Sequence, residues 1–171
     1  RAINVGGKKV IKMETLRQIF VSLGFINVVT YIQSGNIVFD ARLKSPASVR
    51  SIVESERKKS LGHEVNAVVL SFPDLVSIVK QDPFKRIKDG NDVMLFVTFL
   101  SEPPSSIPKL PLASATEQVE VIGLQESAAF IVARRKKNGW FGFPNNFIEK
   151  QLGVVGTTRN WETVKKIVQA V

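Results

Sequence analysis

The chain has 171 residues, of which 44% are hydrophobic and 23% charged, a balance typical of one globular domain or two small ones. Lys and Arg number 24 against 15 Asp and Glu, and the resulting net charge of +9 favours polyanionic partners where the cations share a face. The absence of cysteine excludes disulfides, thiolate metal sites and cysteine nucleophiles, and the longest apolar runs are too short to cross a bilayer.

The first half of the chain alternates strand and helix patterns. Apolar residues at helical spacing predict a helix from Lys12 that Gly24 ends, and a second helix that Ser45 and Pro46 open and Gly62 ends. Extended patterns predict four strands, at residues 1–5, 28–33, 37–40 and 65–70, with a turn at residues 34–36 between the middle two. This order of elements is the split βαβ, or ferredoxin-like, motif.

The second half repeats this order without its first helix. Ser71 and Asp74 predict a helix that runs to Gln81. Strands are predicted at residues 93–100, 117–122 and 128–134, and a proline-rich connection follows the first of them. Two helices then close the chain, the first capped by Asn145 or Asn146 and ended by Gly153, the second capped by Thr158 or Asn160.

These patterns together predict the fold class. We expect an α+β protein of two ferredoxin-like halves, with mixed or antiparallel sheets covered by helices, plus the C-terminal helices. The predicted halves are residues 1–71 and residues 72–171, packed as one compact unit.

Short motifs near the two ends carry a family resemblance. They are Ile3 to Lys8 with Lys12-Met13 and Leu16-Arg17, Tyr31 to Asn36, Thr157 to Trp161 with Thr163-Val164 and, more loosely, Asp82-Pro83-Phe84. With these motifs the chain resembles a largely bacterial family, domain of unknown function 1697. It departs from the family at Ala2, where Gly is usual. The resemblance supports the predicted α+β fold and supplies no catalytic residues.

Three loops of the first half are expected to meet at one end of its sheet. A βαββαβ unit places residues 5–9, 33–36 and 62–64 at the same end. The candidate ligand-binding residues there are Asn4, Gly6, Gly7, Lys8, Lys9, Gln33, Ser34, Asn36 and His63. Glycines, lysines and a helix N-terminus suit an anion, although the spacing is neither a P-loop nor a dinucleotide fingerprint. The alternative is a tight strand-to-helix turn beside an ordinary hairpin.

His63 is the only histidine. It could act as a general base, but no paired acid is legible, and a histidine after a helix end more often contacts the helix dipole or solvent. We therefore assign no catalytic residue, and we expect no cofactor and no metal site, with Mg²⁺ on scattered carboxylates left open.

A second cluster combines basic and aromatic residues. Arg134, Arg135 and Lys136 precede Trp140, so the segment could hold phosphates and stack bases. Its order does not match the RNA-recognition motif. The alternative is a mobile basic loop whose aromatics dock into the core.

The C-terminal motif is Thr158, Arg159, Asn160 and Trp161. Thr158 or Asn160 can cap the last helix, Arg159 could hold an anion or a carboxylate, and Trp161 is expected in the core. We favour a structural role for this motif.

The first functional hypothesis is a cytoplasmic binding module for an anionic partner, either nucleic acid or a phosphorylated small molecule, with no membrane association. The second is an enzyme that acts on a small anionic metabolite at the cluster of three loops described above. The third is a structural or assembly protein, which would carry an exposed apolar patch.

Overall fold

The computed structural model describes residues 11–42, 45–61, 66–88 and 90–171. These residues form five helices and seven strands, and the strands make two antiparallel sheets of two and five strands. The contacts divide the chain into a first compact unit up to Val69 and a second from Leu70 to Ala170. The predicted α+β class is confirmed.

The first unit contains helices α1 (Met13–Ser22) and α2 (Pro46–Leu61) and strands β1 (Ile26–Tyr31) and β2 (Asn36–Asp40). The two strands pair antiparallel as the predicted hairpin, with Tyr31 opposite Asn36 and Ile26 opposite Asp40. The unit has its own core, in which buried residues of both helices and of the α1–β1 connection pack with the hairpin: Leu16, Phe20, Phe25, Val49 and Val53.

The end of α1 shows how the sequence specifies this unit. The Gly24 N–H donates to Val21 O at 2.9 Å and the Phe25 N–H donates to Phe20 O at 3.3 Å, which is a Schellman motif. Gly24 has φ 84°, a conformation that glycine adopts without strain. The rings of Phe20 and Phe25 add the apolar contact typical of this motif, with centroids 5.8 Å apart. The predicted stop at Gly24 is therefore confirmed.

The strand predicted at residues 65–70 is not observed in residues 66–70, which belong to no sheet. Instead the Ala67 N–H donates to Glu54 Oε1 of α2 at 2.8 Å. The strand predicted at residues 1–5 lies outside the described residues, so a complete ferredoxin-like first half stays a prediction.

The second unit contains the remaining three helices and five strands. In chain order they are α3 (Phe72–Gln81), β3 (Val93–Leu100), β4 (Leu112–Ser114), β5 (Val119–Gln125), β6 (Ala128–Arg134), α4 (Asn145–Leu152), β7 (Gly156–Asn160) and α5 (Trp161–Gln169). The predicted strands 93–100 and 128–134 and the helix after Ser71 are confirmed, and the strand predicted at 117–122 is shifted towards Gln125.

The five strands lie in the order β4-β5-β6-β3-β7. Both β6 and β7 run antiparallel to β3, so they are parallel to each other with β3 between them. Helix α4 makes the connection from β6 to β7, and this strand–helix–strand crossover is therefore split by a central third strand.

Helices cover both faces of this sheet. On one face, Ile148 and Leu152 of α4 pack against Ala129 and Ile131 of β6 and their neighbours. On the other face, Phe84 meets Phe130 of β6 and Trp161 of α5 edge to face, with centroids 6.0 and 5.3 Å apart. Two separated motifs of the chain, Asp82-Pro83-Phe84 and the C-terminal one, thus join in a single core.

The N-caps follow the predictions in part. Ser45, Ser71 and Asn160 accept hydrogen bonds from the N–H groups of Ser48, Asp74 and Glu162. The prediction that Asn145 or Asn146 caps α4 is wrong, because Pro144 is at the cap position and no side chain bonds there. Asn145 instead lies buried against Thr158.

Two strands were not predicted. The sequence predicts that Thr157 to Trp161 open the last helix, but residues 156–160 form β7 and only Asn160 caps α5. The segment is Gly-Thr-Thr-Arg-Asn, with no apolar alternation to indicate a strand. Its conformation depends on pairing with β3, which lies about 60 residues earlier in the chain. The other strand, β4, is three residues long within the proline-rich connection.

Candidate functional site

A short hairpin follows β6 directly. Residues 135–141, the basic–aromatic hairpin, begin and end with the bridged pair Arg135 and Phe141. The Lys136 N–H donates to Trp140 O at 2.8 Å, and the Gly139 N–H donates to Lys136 O at 2.9 Å. Gly139 has φ 85°, so the loop is a turn followed by a left-handed glycine, a common three-residue hairpin connection.

Arg135 fastens this hairpin to the start of β3. Its Nε donates to Asp92 Oδ1 at 3.0 Å and its Nη1 to Gly139 O at 2.9 Å, while Nη2 contacts Asn91 O. Its guanidinium carbon also lies 4.8 Å from the centre of the Phe141 ring. Each of the three guanidinium nitrogens of Arg135 therefore has a partner within the protein.

The opposite side of the hairpin rests on the turn between β4 and β5. Lys136 Nζ pairs with Glu117 Oε2 at 2.8 Å. The next residue after the hairpin, Gly142, lies so close to Glu117 that a Cβ built there would be 1.9 Å from the Glu117 carbonyl oxygen. Only a residue without a side chain allows this approach.

The remaining basic and aromatic side chains point to solvent. The side chains of Arg134 and Lys137 are exposed and, within the described ranges, make no hydrogen bond or ion pair. Trp140 is 76% exposed and Phe143 is 58% exposed. Of the two predicted alternatives, docking of aromatics into the core applies to Phe141, which packs against the core cluster, but not to Trp140. Base stacking on this segment stays a prediction.

The C-terminal motif is largely occupied by structural contacts. Thr158 is buried and donates to Asn145 Oδ1 at 3.1 Å, Asn160 caps α5, and Trp161 is only 3% exposed. Arg159 Nη1 donates to Thr157 Oγ1 and to Thr158 O, each at 2.8 Å. Burial lowers the pKa of the Arg159 guanidinium from its ordinary value, but arginine stays charged at neutral pH.

Most of the predicted loop cluster lies outside the described residues. This applies to Asn4, Gly6, Gly7, Lys8, Lys9 and His63. Gln33 and Ser34 lie in the turn between β1 and β2, and Asn36 is the first residue of β2. Asn36 Nδ2 donates to Tyr31 O at 3.2 Å and to Ser34 Oγ at 3.0 Å, so its amide holds the turn. The convergence of the three loops stays a prediction.

Large apolar side chains are exposed in the first unit. Ile26, Val29 and Ile32, on β1 and just after it, are each about half exposed. The assembly hypothesis predicts exposed apolar side chains of this kind.

The described residues contain neither a candidate metal site nor a candidate membrane-spanning helix. The part of the chain that the structure describes holds no group of three His, Asp or Glu residues placed to bind a metal ion. Among its helices, none has the length and apolar character needed to cross a bilayer.

Sequence reasoning missed the partners that brace the hairpin, Asp92, Glu117 and Gly142. One signal was present, because Asn138-Gly139 is a frequent hairpin dipeptide. The bracing contacts join residues that lie far apart in the chain, and no local pattern indicates them.

Residues 1–130 match the model of a family described as protein of unknown function (DUF1697). A solved structure, described as that of a conserved bacterial protein from Streptococcus pneumoniae, is similar with a TM-score of 0.63 and 23% sequence identity. The match covers 99% of this chain and 93% of that one, and at this identity it is a likeness of fold alone. No curated protein matches the chain.

Proposed function

The chain belongs to this family, and from its own residues we propose that it is a cytoplasmic binding module for a phosphate-bearing partner, which it holds at the basic–aromatic hairpin and its flanks. The cytoplasmic location is proposed because the chain has no cysteine. The partner is a nucleic acid or a phosphorylated small molecule.

The observation that carries this proposal is that, of four consecutive cations, two are paired with carboxylates and two are not. Arg135 and Lys136 are paired with Asp92 and Glu117, which fixes the hairpin. Arg134 and Lys137 are exposed beside them, and in the described part of the chain no acidic group pairs with either. A fixed hairpin that presents unpaired cations is suited to phosphate oxygens.

The charge of this region also supports phosphate binding. The four cations outnumber the carboxylates of Asp92 and Glu117 by two, so the hairpin and its braces carry a formal charge of four minus two, or +2. The chain as a whole has a net charge of +9, which raises the rate of encounter with polyanions.

The test is a salt series of binding constants for polyphosphate and for a mixed-sequence oligonucleotide. We expect a linear fall of log K with log salt, because phosphate contacts release counterions. Arg134→Ala and Lys137→Ala should each reduce the slope by about one. Lys166→Ala, at an exposed position of α5, removes the same charge elsewhere and should leave the slope nearly unchanged.

A flat salt dependence, or equal effects of Lys137→Ala and Lys166→Ala, would contradict the proposal. Lys8→Ala belongs in the same series, because it addresses the predicted loop cluster. If it lowers the slope while Lys137→Ala does not, the anion site is at that cluster and not at the hairpin.

Assembly is a second candidate role, favoured by the exposed Ile26, Val29 and Ile32. Light scattering of the purified chain tests it. An oligomer that Val29→Lys dissociates would support this role, and a monomer at all concentrations would end it.

A further inference from the structure

We infer that the partner is single-stranded nucleic acid, with a base stacked on Trp140, a second on Phe143, and the adjoining phosphates held by Arg134 and Lys137. This inference rests on the proposed function. It adds base stacking on aromatic rings, which the cations alone do not specify.

Trp140 is the first reason. It is 76% exposed, whereas the other tryptophan of the chain, Trp161, is 3% exposed. The hairpin that carries Trp140 is held by Arg135 on one side and Lys136 on the other. The backbone under the indole is therefore ordered before any ligand arrives, and an ordered aromatic surface binds at a lower entropic cost. A flat aromatic ligand is the natural occupant of such a face.

Phe143, in the segment that follows the hairpin, supplies a second exposed ring. It is 58% exposed, and its ring stands edge to face on the buried Phe96, with centroids 5.8 Å apart. Residues 134–143 thus present two exposed rings and two exposed cations. This mixture of aromatic and cationic groups matches a strand whose bases and phosphates alternate.

The exposure of the Trp140 ring argues against a free nucleotide and against a duplex as the ligand. A free nucleotide binds well where a pocket encloses most of its surface, and a ring that is three-quarters exposed encloses little. A duplex offers phosphates, but its bases are already stacked on each other and cannot use the indole. A single strand has free base faces and gains from several weak contacts in sequence.

The experiment compares five probes at low salt with the full chain. They are a labelled 12-nucleotide single strand, the matching duplex, a mononucleotide, polyphosphate, and vesicles of phosphatidylserine and phosphatidylcholine. We expect the single strand to bind at least about tenfold more tightly than the duplex, since each stacked base contributes roughly 5- to 150-fold. Binding should also quench Trp140 fluorescence, while buried Trp161 serves as the internal reference.

The decisive variant is Trp140→Ala. It should weaken single-strand binding by roughly 5- to 150-fold and leave duplex and polyphosphate binding unchanged. Trp140→Phe retains a stacking ring and should recover most of the affinity. The near-ultraviolet circular dichroism of Trp161 reports whether the second unit is still folded in each variant.

The outcomes separate the inference from the proposed function. Equal affinity for single strand, duplex and polyphosphate, insensitive to Trp140→Ala, overturns the inference and leaves anion binding intact. Binding of the mononucleotide as tight as that of the strand also overturns it. Preference for vesicles, with a blue shift of Trp140 emission, identifies a lipid surface instead. Failure of every probe to bind overturns both proposals.

Discussion

Two threonine hydroxyls and one asparagine amide form a buried chain in the second unit. Thr98 Oγ1 and Thr158 Oγ1 are 2.8 Å apart across β3 and β7, and Thr158 Oγ1 donates to Asn145 Oδ1 of α4 at 3.1 Å. A hydroxyl has one proton, so the Thr98 hydroxyl must donate to Thr158. Thr158 is thus both donor and acceptor, and it links a strand pair to the helix that covers it.

Thr158→Val should lower the free energy of unfolding by about 1–3 kcal/mol. The change keeps the shape of the side chain but leaves the Thr98 proton and the Asn145 oxygen buried without partners, and all three residues are less than a tenth exposed. Denaturant unfolding followed by Trp161 fluorescence measures the loss.

Thr98→Val is the matched control, because it removes only the donor at the end of the chain and should cost about 1 kcal/mol or less. If Thr98→Val costs as much as Thr158→Val, the inferred direction of the hydrogen bonds is wrong.

Asn145 illustrates what a sequence can say about a single residue. Its type and position before an apolar helical pattern predict a cap, yet its amide is used by Thr158, 13 residues further on. Ser71 and Asn160 have the same local signature, and both do cap their helices. Local chemistry restricts the choices of such a residue, and a distant partner decides between them.

At the scale of elements, the basic–aromatic hairpin depends on a close backbone contact. Gly142→Ala would place a Cβ 1.9 Å from the Glu117 carbonyl oxygen, so one of the two segments must move. We expect a loss of about 1–3 kcal/mol in the free energy of unfolding and weaker oligonucleotide binding. Thermal denaturation and the salt series measure the two effects.

Gly90→Ala provides the comparison for that change. A Cβ at Gly90 meets nothing within 4 Å, so this variant should match the unmodified chain in both assays. Similar behaviour of the two alanine variants would show that the approach of Gly142 to Glu117 does not matter.

Arg135→Ala tests the other brace. It removes the bonds to Asp92 and Gly139 and the contact with the Phe141 ring. The N–H groups of Lys136 and Gly139, which close the hairpin, should exchange with solvent at least about tenfold faster, since local opening becomes easier. Amide hydrogen exchange by NMR measures this. Unchanged protection of both amides would mean that the hairpin is stable without its anchor.

The elements that the sequence predicts correctly are those whose own residues indicate their structure. Strands β3 and β6 are almost entirely apolar, α3 has a serine cap, and α1 ends at a glycine. Strand β7 has none of these signals, because it is polar and takes its conformation from β3. The hairpin site is similar, since the cations and the tryptophan are visible in the sequence while the braces that orient them are not.

At the scale of the whole molecule, the chain consists of two units with separate cores. The core of the first includes Leu16 and Val53, and that of the second includes Ile131 and Ile148. A unit with its own core and a sheet covered on both faces has what an independent domain needs.

We therefore predict that residues 70–170, expressed alone, fold and unfold cooperatively. The fragment keeps all five strands of the larger sheet and helices α3, α4 and α5. Circular dichroism should show a single thermal transition, and the near-ultraviolet signal of Trp161 should match that of the full chain. A fragment without a cooperative transition would show that the second unit needs residues of the first.

The position of β3 in its sheet has a consequence for the order in which the chain is made. Strand β3 lies between β6 and β7 in the sheet, but its neighbour β7 is synthesised about 60 residues later. Until Gly156 to Asn160 emerge from the ribosome, one backbone edge of this largely apolar strand has no partner, and such edges recruit other chains. A nascent or truncated chain that stops before Gly156 should therefore aggregate, and the short polar strand β7 should prevent association through this edge once it has been made.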